Sequence, residues 1–261
     1  MILDRIASTA RSRVEAAKKD VPAESMITMA EAKNPQKPSF TNALRQPGLS
    51  LICELKRASP SKGMISPEYP YMDICNDYVR NGAAAISVLT EPQYFHGSHS
   101  HLQNVAAAVD VPVLRKDFII DDYQIYESKV LGASAVLLIC GLLDQQTLVR
   151  FLDIVKGLGM DALVEAHNEE EVIRAVDSKA EVIGVNNRNL NDFKVDMGAS
   201  ARLRGLIPSD RLFVSESGIR RPEDSRRARD MGADAILVGE ALMTSTNRGR
   251  MMDMLRGVDH D

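Results

Sequence analysis

Tryptophan is absent from this 261-residue sequence, cysteine occurs three times, and neither sign of charge dominates. The cysteines, Cys53, Cys75 and Cys140, are odd in number and widely spaced, with no CxxC pair. That pattern fits reduced, mostly buried thiols in a cytoplasmic protein rather than a disulfide framework. A net charge of −4 and a pI near 5.8 argue against a general polyanion binder. No nucleic-acid partner is therefore expected, and any anion recognised should be small and held locally. No run of about 18 apolar residues offers a membrane span. The start, MILDRIASTARSR, mixes acid and base early and lacks an apolar signal core, so no secretory leader is expected. The missing tryptophan and the twelve methionines read as core filling, without a functional signal.

What is present is ordinary for a globular chain: 44% apolar and 26% charged residues. A chain of this length buries roughly three quarters of the surface that its unfolded form exposes, so its core needs neither disulfide nor metal. In LDRIASTARSRVEAAKKDVP, Ile6, Ala10, Val14 and Ala17 fall at helical spacing, and Pro22 stops the helix. AESMITMAEAK reads as a second short helix, ended by the Pro35 and Pro38 region. From Leu49 onward, short β-branched runs alternate with amphipathic segments. The runs LSLICEL, AAISVLT, VPVLRKD, ASAVLLIC, MDALVEA, AEVIGVNN, RLFVSES and ADAILVGE make eight candidate strands. NGAAAI, LGASAV and MGADAI recur at equivalent places, which marks one repeated βα unit with glycine at the helix ends.

Strands apolar on both faces belong to parallel sheets covered by helices. Eight βα units in just over 200 residues fit a closed α/β (β/α)₈ TIM barrel. An open doubly wound sheet is the alternative, but the GxGxxG fingerprint expected after its first strand is missing. The expected organisation is one domain over residues 1–261, with a helical N-terminal extension over 1–47 and the barrel over 48–261.

In such a barrel the active site lies at the carboxyl ends of the strands. The potent side chains fall there: Glu54 and Lys56 after the first strand, Lys116 after the third and Glu165 after the fifth. Asn186 and Arg188 follow the sixth, Glu216 and Ser217 the seventh, and Gly239 the eighth. Side chains alternate along a strand, so Glu54 and Lys56 share the inward face while Cys53 and Leu55 point toward the helices. Lysines and glutamates crowded into a partly dry pocket shift one another's pKa values, which suits acid–base work. Gly218, ahead of the Pro222 helix start, and Gly239, at another helix start, would let backbone amides approach a phosphate. For both, simple helix capping is the competing reading. His96, His99 and His101 in HGSHSH match no standard metal spacing, so no metal site is expected, and His167 reads as a loop residue.

Seven segments together resemble the indole-3-glycerol-phosphate synthase family: CELKRASPSKG, LTEPQYFHGS, LRKDFI, LVEAHN, GVNNRNL, SESGI and VGEALM. The resemblance covers essentially the whole chain, helical extension included. It implies a carbon–carbon lyase of tryptophan biosynthesis, acting on 1-(2-carboxyphenylamino)-1-deoxyribulose 5-phosphate. Ring closure, decarboxylation and dehydration would yield indole-3-glycerol phosphate, without cofactor or metal. By position, Lys116 would be the general acid, Glu165 the acid–base partner of the dehydration, and Lys56 a substrate-binding and second proton-carrying lysine. Glu54 and Glu216 would orient the lysines, and Asn186 with Arg188 would position the substrate. Ser59, Ser217, Gly218 and Gly239 would bind the phosphate end, and Phe95, Phe118 and Leu137 would form an apolar wall whose competing reading is core packing. Glu240 departs from members that carry Ser there, which leaves only the backbone contact to phosphate. A monomer is the expected state, with a weak dimer as the alternative. Another phosphate-binding barrel enzyme, such as phosphoribosylanthranilate isomerase, and a non-catalytic metabolite-binding barrel are the rival readings.

Overall fold

A computed structural model describes residues 2–34, 38–189 and 194–258. Pro35 of the expected helix stop and Leu190 of GVNNRNL lie outside the described residues. Two helices lead, α1 (Ile2–Asp20) and α2 (Ala23–Glu31), as the apolar spacing predicts. A third, α3 (Phe40–Leu44), was not legible as a helix. Ser39 starts it by accepting from the Asn42 amide, and Asp161 accepts from both the Ser39 hydroxyl and the Thr41 amide.

The repeating part opens with β1 (Ser50–Leu55), then a hairpin of two short arms, β2 (Ala58–Ser59) and β3 (Gly63–Met64), where only a loop was expected. Next come α4 (Tyr71–Arg80), β4 (Ala85–Leu89), α5 (His99–Ala108), β5 (Val113–Lys116) and α6 (Asp122–Val130). They are followed by β6 (Ala135–Ile139), α7 (Gln145–Gly157), β7 (Asp161–Ala166), α8 (Glu169–Asp177) and β8 (Val182–Asn186). The round ends with α9 (Gly198–Arg204), β9 (Leu212–Glu216), α10 (Pro222–Asp230), β10 (Ala235–Val238), α11 (Glu240–Met243) and α12 (Arg248–Arg256). Eight strands pair in parallel and close into a barrel, β10 meeting β1 through Ser50 opposite Ala235 and Cys53 opposite Val238. The open-sheet alternative is thereby excluded.

Local chemistry explains the regularity. Asp121, Asp144 and Asn168 each accept a backbone N–H at the start of α6, α7 and α8, filling part of the donor deficit of a first helical turn. Gly82 (φ 78°), Gly132 (φ 91°) and Gly232 (φ 79°) end α4, α6 and α10 in the left-handed region, which side chains other than glycine rarely adopt. These are the glycines of the recurring NGA, LGA and MGA segments.

Strand alternation then sorts the core into two layers. Cys53, Leu55, Ile86, Val88, Val164, Val185 and Ile236 pack outward against the helices. Ile52, Ala85, Leu114, Leu137, Leu163, Val182 and Leu237 fill the inside, with Phe40 and Leu44 of α3 packed against them. Burying each valine, leucine or isoleucine among them contributes roughly 1.5–3 kcal/mol. All three cysteines are buried and unpaired. The methionines correct the expectation in part: Met26, Met160, Met243 and Met252 are buried, but Met29, Met64 and Met254 are exposed.

α1 is fastened to the site end of the barrel. Arg13 donates two hydrogen bonds to Asp117, at 2.9 and 3.2 Å, just beyond the end of β5. Lys18 pairs with Asp121 at 2.8 Å, and the Tyr123 hydroxyl donates to the carbonyls of Ala17 and Val21. Asp117 also accepts from the Thr90 hydroxyl and from Arg115, a fully buried guanidinium on the outward face of β5. Arg115 lies 2.8 Å from Glu127 and donates to the Gln124 carbonyl and to Ser128, all on α6. Burial opposes ionisation of Asp117, but Arg115 and Arg13 overcome it and hold its carboxyl near 2.

Candidate active site

Lys116 is the last residue of β5, and alternation turns it inward while Arg115 and Asp117 turn out. Its Nζ stands 3.5 Å from Glu216, 3.8 Å from Glu165 and 3.8 Å from Glu54. Those three carboxylates come from β9, β7 and β1, so the sheet closure itself assembles the cluster. Lys56, one residue past β1, lies 3.2 Å from the other oxygen of Glu54 and 5.8 Å from the centre of the Phe95 ring. The two lysines thus share Glu54 between them. Among the described residues, no group of His, Cys, Asp and Glu is arranged to hold a metal ion.

The electrostatics divide the carboxylates into two kinds. Burial favours the neutral form of each, and the outcome depends on what else stands nearby. Glu54 is held below its ordinary value by Lys56 and Lys116 despite burial. Glu165 is likewise lowered, because Lys116 and His167 outweigh its burial. Glu216 goes the other way, raised by burial and by repulsion from Glu165. Lys116 is raised against its own burial by Glu216, Glu54 and Glu165, which keeps its ammonium charged at neutral pH. The cluster therefore offers a proton donor at Lys116 and a free carboxylate at Glu165, side by side.

Two glycines make room for these acids. A Cβ on Gly184, in β8, would collide with Oε1 of Glu216. Gly184→Ala should therefore displace Glu216 from Lys116 and lower kcat about tenfold or more, while the melting temperature falls only a few degrees. Steady-state kinetics beside a thermal melt check this, and an unchanged kcat would show that the position of Glu216 does not matter. A Cβ on Gly239 would come within 2.7 Å of Glu54, so this glycine serves the carboxylate cluster as well as the start of α11.

Glu54, Lys116 and Glu165 of the cluster form one wall of a cleft of about 650 Å³, its open mouth included, and Glu216 is not among the residues that line it. Glu54, Lys56, Ser59, Phe95, Lys116, Phe118, Leu137, Glu165, Asn186, Arg188 and Ser217 all line it. The Phe95 and Phe118 rings lie 6.1 Å apart, tilted by 38°, and with Leu137 make the apolar side. Asn186 accepts from the Arg188 amide, and Arg188 reaches Ser61 at 3.3 Å across the mouth. Gly218 and Gly239 are not part of the cleft wall. Gly218 (φ 84°) follows Ser217 (φ 66°), and Val195 and Met197 crowd the space where its side chain would be. Two left-handed residues in succession turn the chain sharply between β9 and α10. Glu240 is held at the rim by Lys62 and Arg220, at 3.4 and 3.6 Å.

Two groups escaped the sequence reading. His167 does sit in the bend after β7, but its imidazole reaches Glu165 at 3.3 Å and Glu171 at 3.1 Å. Asn187 is buried and braces the loop by bonding Ser215, the Ser217 carbonyl and Ser200. His99 and His101 belong elsewhere: His99 lies against Arg115, and His101 packs on Tyr69 and Tyr71.

The profile of the family described as "Indole-3-glycerol phosphate synthase" matches residues 3–255. The chain belongs to the indole-3-glycerol phosphate synthase family. An indole-3-glycerol phosphate synthase from Ruminiclostridium cellulolyticum is 51% identical over 258 residues, covering 98% of this chain and 99% of that protein. One from Endomicrobium trichonymphae is 52% identical over 254 residues, covering 95% and 96%. Solved structures further off share the fold alone. 3-Hexulose-6-phosphate synthase from Salmonella typhimurium superposes with a TM-score of 0.66 at 14% identity, covering 80% of this chain and 98% of its own. Thiamine phosphate pyrophosphorylase from Pyrococcus furiosus gives 0.61 at 15% identity, covering 84% and 97%. The family match decides against the isomerase reading.

Proposed function

We propose that this chain converts 1-(2-carboxyphenylamino)-1-deoxyribulose 5-phosphate to indole-3-glycerol phosphate, and that the Lys116 cluster performs the chemistry. The observation that carries the reading is a charged lysine ringed by three glutamates at the mouth of the barrel. Ring closure makes a carbon–carbon bond from the carboxylate-bearing ring carbon to the ketone carbon. The ketone oxygen must take a proton as its π electrons are displaced, and Lys116 supplies it. The carboxylate then leaves as carbon dioxide, its bonding electrons restoring the aromatic ring. In the dehydration, Glu165 takes a proton from the CH2 carbon beside the nitrogen and returns it to the departing hydroxyl, so that the ring double bond forms and water leaves. The first half consumes one proton, which Lys116 must regain from solvent.

The remaining side chains position the substrate. Lys56, stacked over Phe95, meets its anionic groups, and Glu54 and Glu216 hold the lysines in place. Phe95, Phe118 and Leu137 flank the anthranilate ring and keep water from it. Arg188 and Asn186 orient the carboxylate-bearing ring for attack. Ser59, Ser217 and the amides near Gly218 and Gly239 receive the phosphate, close to the starts of α10 and α11, with Lys62 and Arg220 adding positive charge at the rim.

Every group this reading needs comes from one chain, which favours a monomer as the working unit and residues 1–261 as one functional domain. Buried, unpaired thiols favour a reducing compartment such as the cytoplasm. Among the described residues no helix is long and apolar enough to cross a membrane.

Purified protein given the carboxyphenylamino substrate, with no added metal and with EDTA present, should produce indole fluorescence. Absence of turnover under these conditions would overturn the assignment.

A further inference from the structure

We propose that His167 is a positioning residue that clamps Glu165 against the cleft and is itself clamped by Glu171. This rests on the reading of Glu165 as the acid–base group of the dehydration. Three residues in sequence make the arrangement. Glu165 ends the inward face of β7, His167 follows two residues later in the bend, and Glu171 lies in the first turn of α8. Nε2 of His167 is 3.3 Å from Oε1 of Glu165, and Nδ1 is 3.1 Å from Oε2 of Glu171. The same Glu171 oxygen accepts the His167 backbone N–H at 2.8 Å, while its other oxygen accepts from Asn168 at 2.9 Å. Asn168 in turn accepts the Glu171 amide as the cap of α8. The helix start therefore fixes Glu171, Glu171 fixes the ring, and the ring fixes Glu165.

Both imidazole nitrogens face carboxylates, Nδ1 in a hydrogen bond with Glu171 and Nε2 in an ion pair with Glu165 that lacks hydrogen-bond alignment, and the ring between the two acids is a cation. Burial works against that charge, but Glu165 and Glu171 prevail and push His167 up to about 10. The groups around the pair are Lys116, Glu216, Glu54 and Asn186 on the barrel side and Cys140 and Arg174 on the helix side. Cys140 is pushed up to about 12 by burial and stays a neutral thiol. Arg174 is spent on the carbonyls of Cys140 and Leu143. That leaves His167 and Lys116 as the cations that stand against Glu165. Lys116 gives up its proton during ring closure. At that moment His167 is the cation left beside Glu165, and with the Asn186 hydrogen bond it keeps Glu165 a carboxylate, ready to receive the methylene proton.

The test compares His167→Ala, His167→Gln and Glu165→Gln by kcat, KM and the pH profile of kcat, with melting curves to confirm folding. The alanine variant should lose roughly ten- to a hundredfold in kcat, the range spanned by one contact to a charged group, with KM little changed. Its acid limb should move to higher pH, because Glu165 without the imidazolium accepts a proton more readily. The glutamine variant keeps a neutral donor near the Nε2 position. It should regain most of kcat while its acid limb stays displaced. An alanine variant within twofold of wild type and with an unshifted acid limb would overturn the proposal. Equal kcat losses in both His167 variants, with unshifted acid limbs and lowered melting temperatures, would also overturn it by marking a folding role. Glu165→Gln separates the two ideas: if it keeps full kcat, the role given to Glu165 itself fails. If it loses activity while His167→Ala does not, only the clamp fails.

Discussion

Replacing Lys116 with methionine is expected to lower kcat by about 10²–10⁴, the usual contribution of a positioned general acid. Methionine keeps much of the stem volume and removes the ammonium, so the cleft keeps its shape while losing its donor. The three glutamates around it lose their shared cation and become easier to protonate, which limits the electrostatic cost of the change. Folding should therefore survive. Substrate affinity, measured by titration calorimetry, should change by less than tenfold, because Lys56 and the phosphate end of the cleft are untouched. A methionine variant that turns over within tenfold of wild type would remove Lys116 from the mechanism. An equally large loss of affinity would instead make it mainly a binding group.

A second large effect is expected one residue earlier, in stability rather than turnover. Arg115 is 1% exposed and serves Asp117, Glu127, Thr90, Ser128 and the Gln124 carbonyl together. Arg115→Met should cost about 3–5 kcal/mol, since removing one partner of a buried ionic network strands the others. Urea denaturation would register it as a lower midpoint with an unchanged slope. The loss also loosens Asp117, to which Arg13 of α1 is tied, so the N-terminal helices should become more sensitive to protease. A loss under 1 kcal/mol would mean that water replaces the guanidinium.

The barrel was legible because its signals are local and repeated. Runs of β-branched residues, glycine-ended helices and a fixed spacing each predict one unit, and eight units leave few architectures. The inward face was legible for the same reason: alternation placed Glu54 with Lys56 and set Cys53 and Leu55 against the helices, as observed. α3 was not, because five residues carry too little periodicity, and Asp161, 122 residues beyond Ser39, supplies part of its anchorage. His167 was missed because its partners lie on both sides of a bend, where neither the strand nor the helix period applies. The Arg115–Asp117 network was hidden by its position beside Lys116, since a polar residue facing outward from β5 looks solvated until α6 is seen to cover it. The methionines failed as a class: composition says nothing about which of them the helices leave exposed.

The pairing of β10 with β1 has a consequence in time. Ser50 and Ala235 are neighbours in the sheet but lie 185 residues apart in the chain. At synthesis rates of about 5–20 residues per second, Glu54 waits roughly ten to forty seconds before β10, which ends at Val238, emerges to stand beside it. Throughout that interval β1 has an unsatisfied edge and the acid cluster lacks one flank. The nascent barrel is thus an open curl rather than a smaller enzyme. Its active site should become functional all at once, when β10 docks on β1, rather than strand by strand.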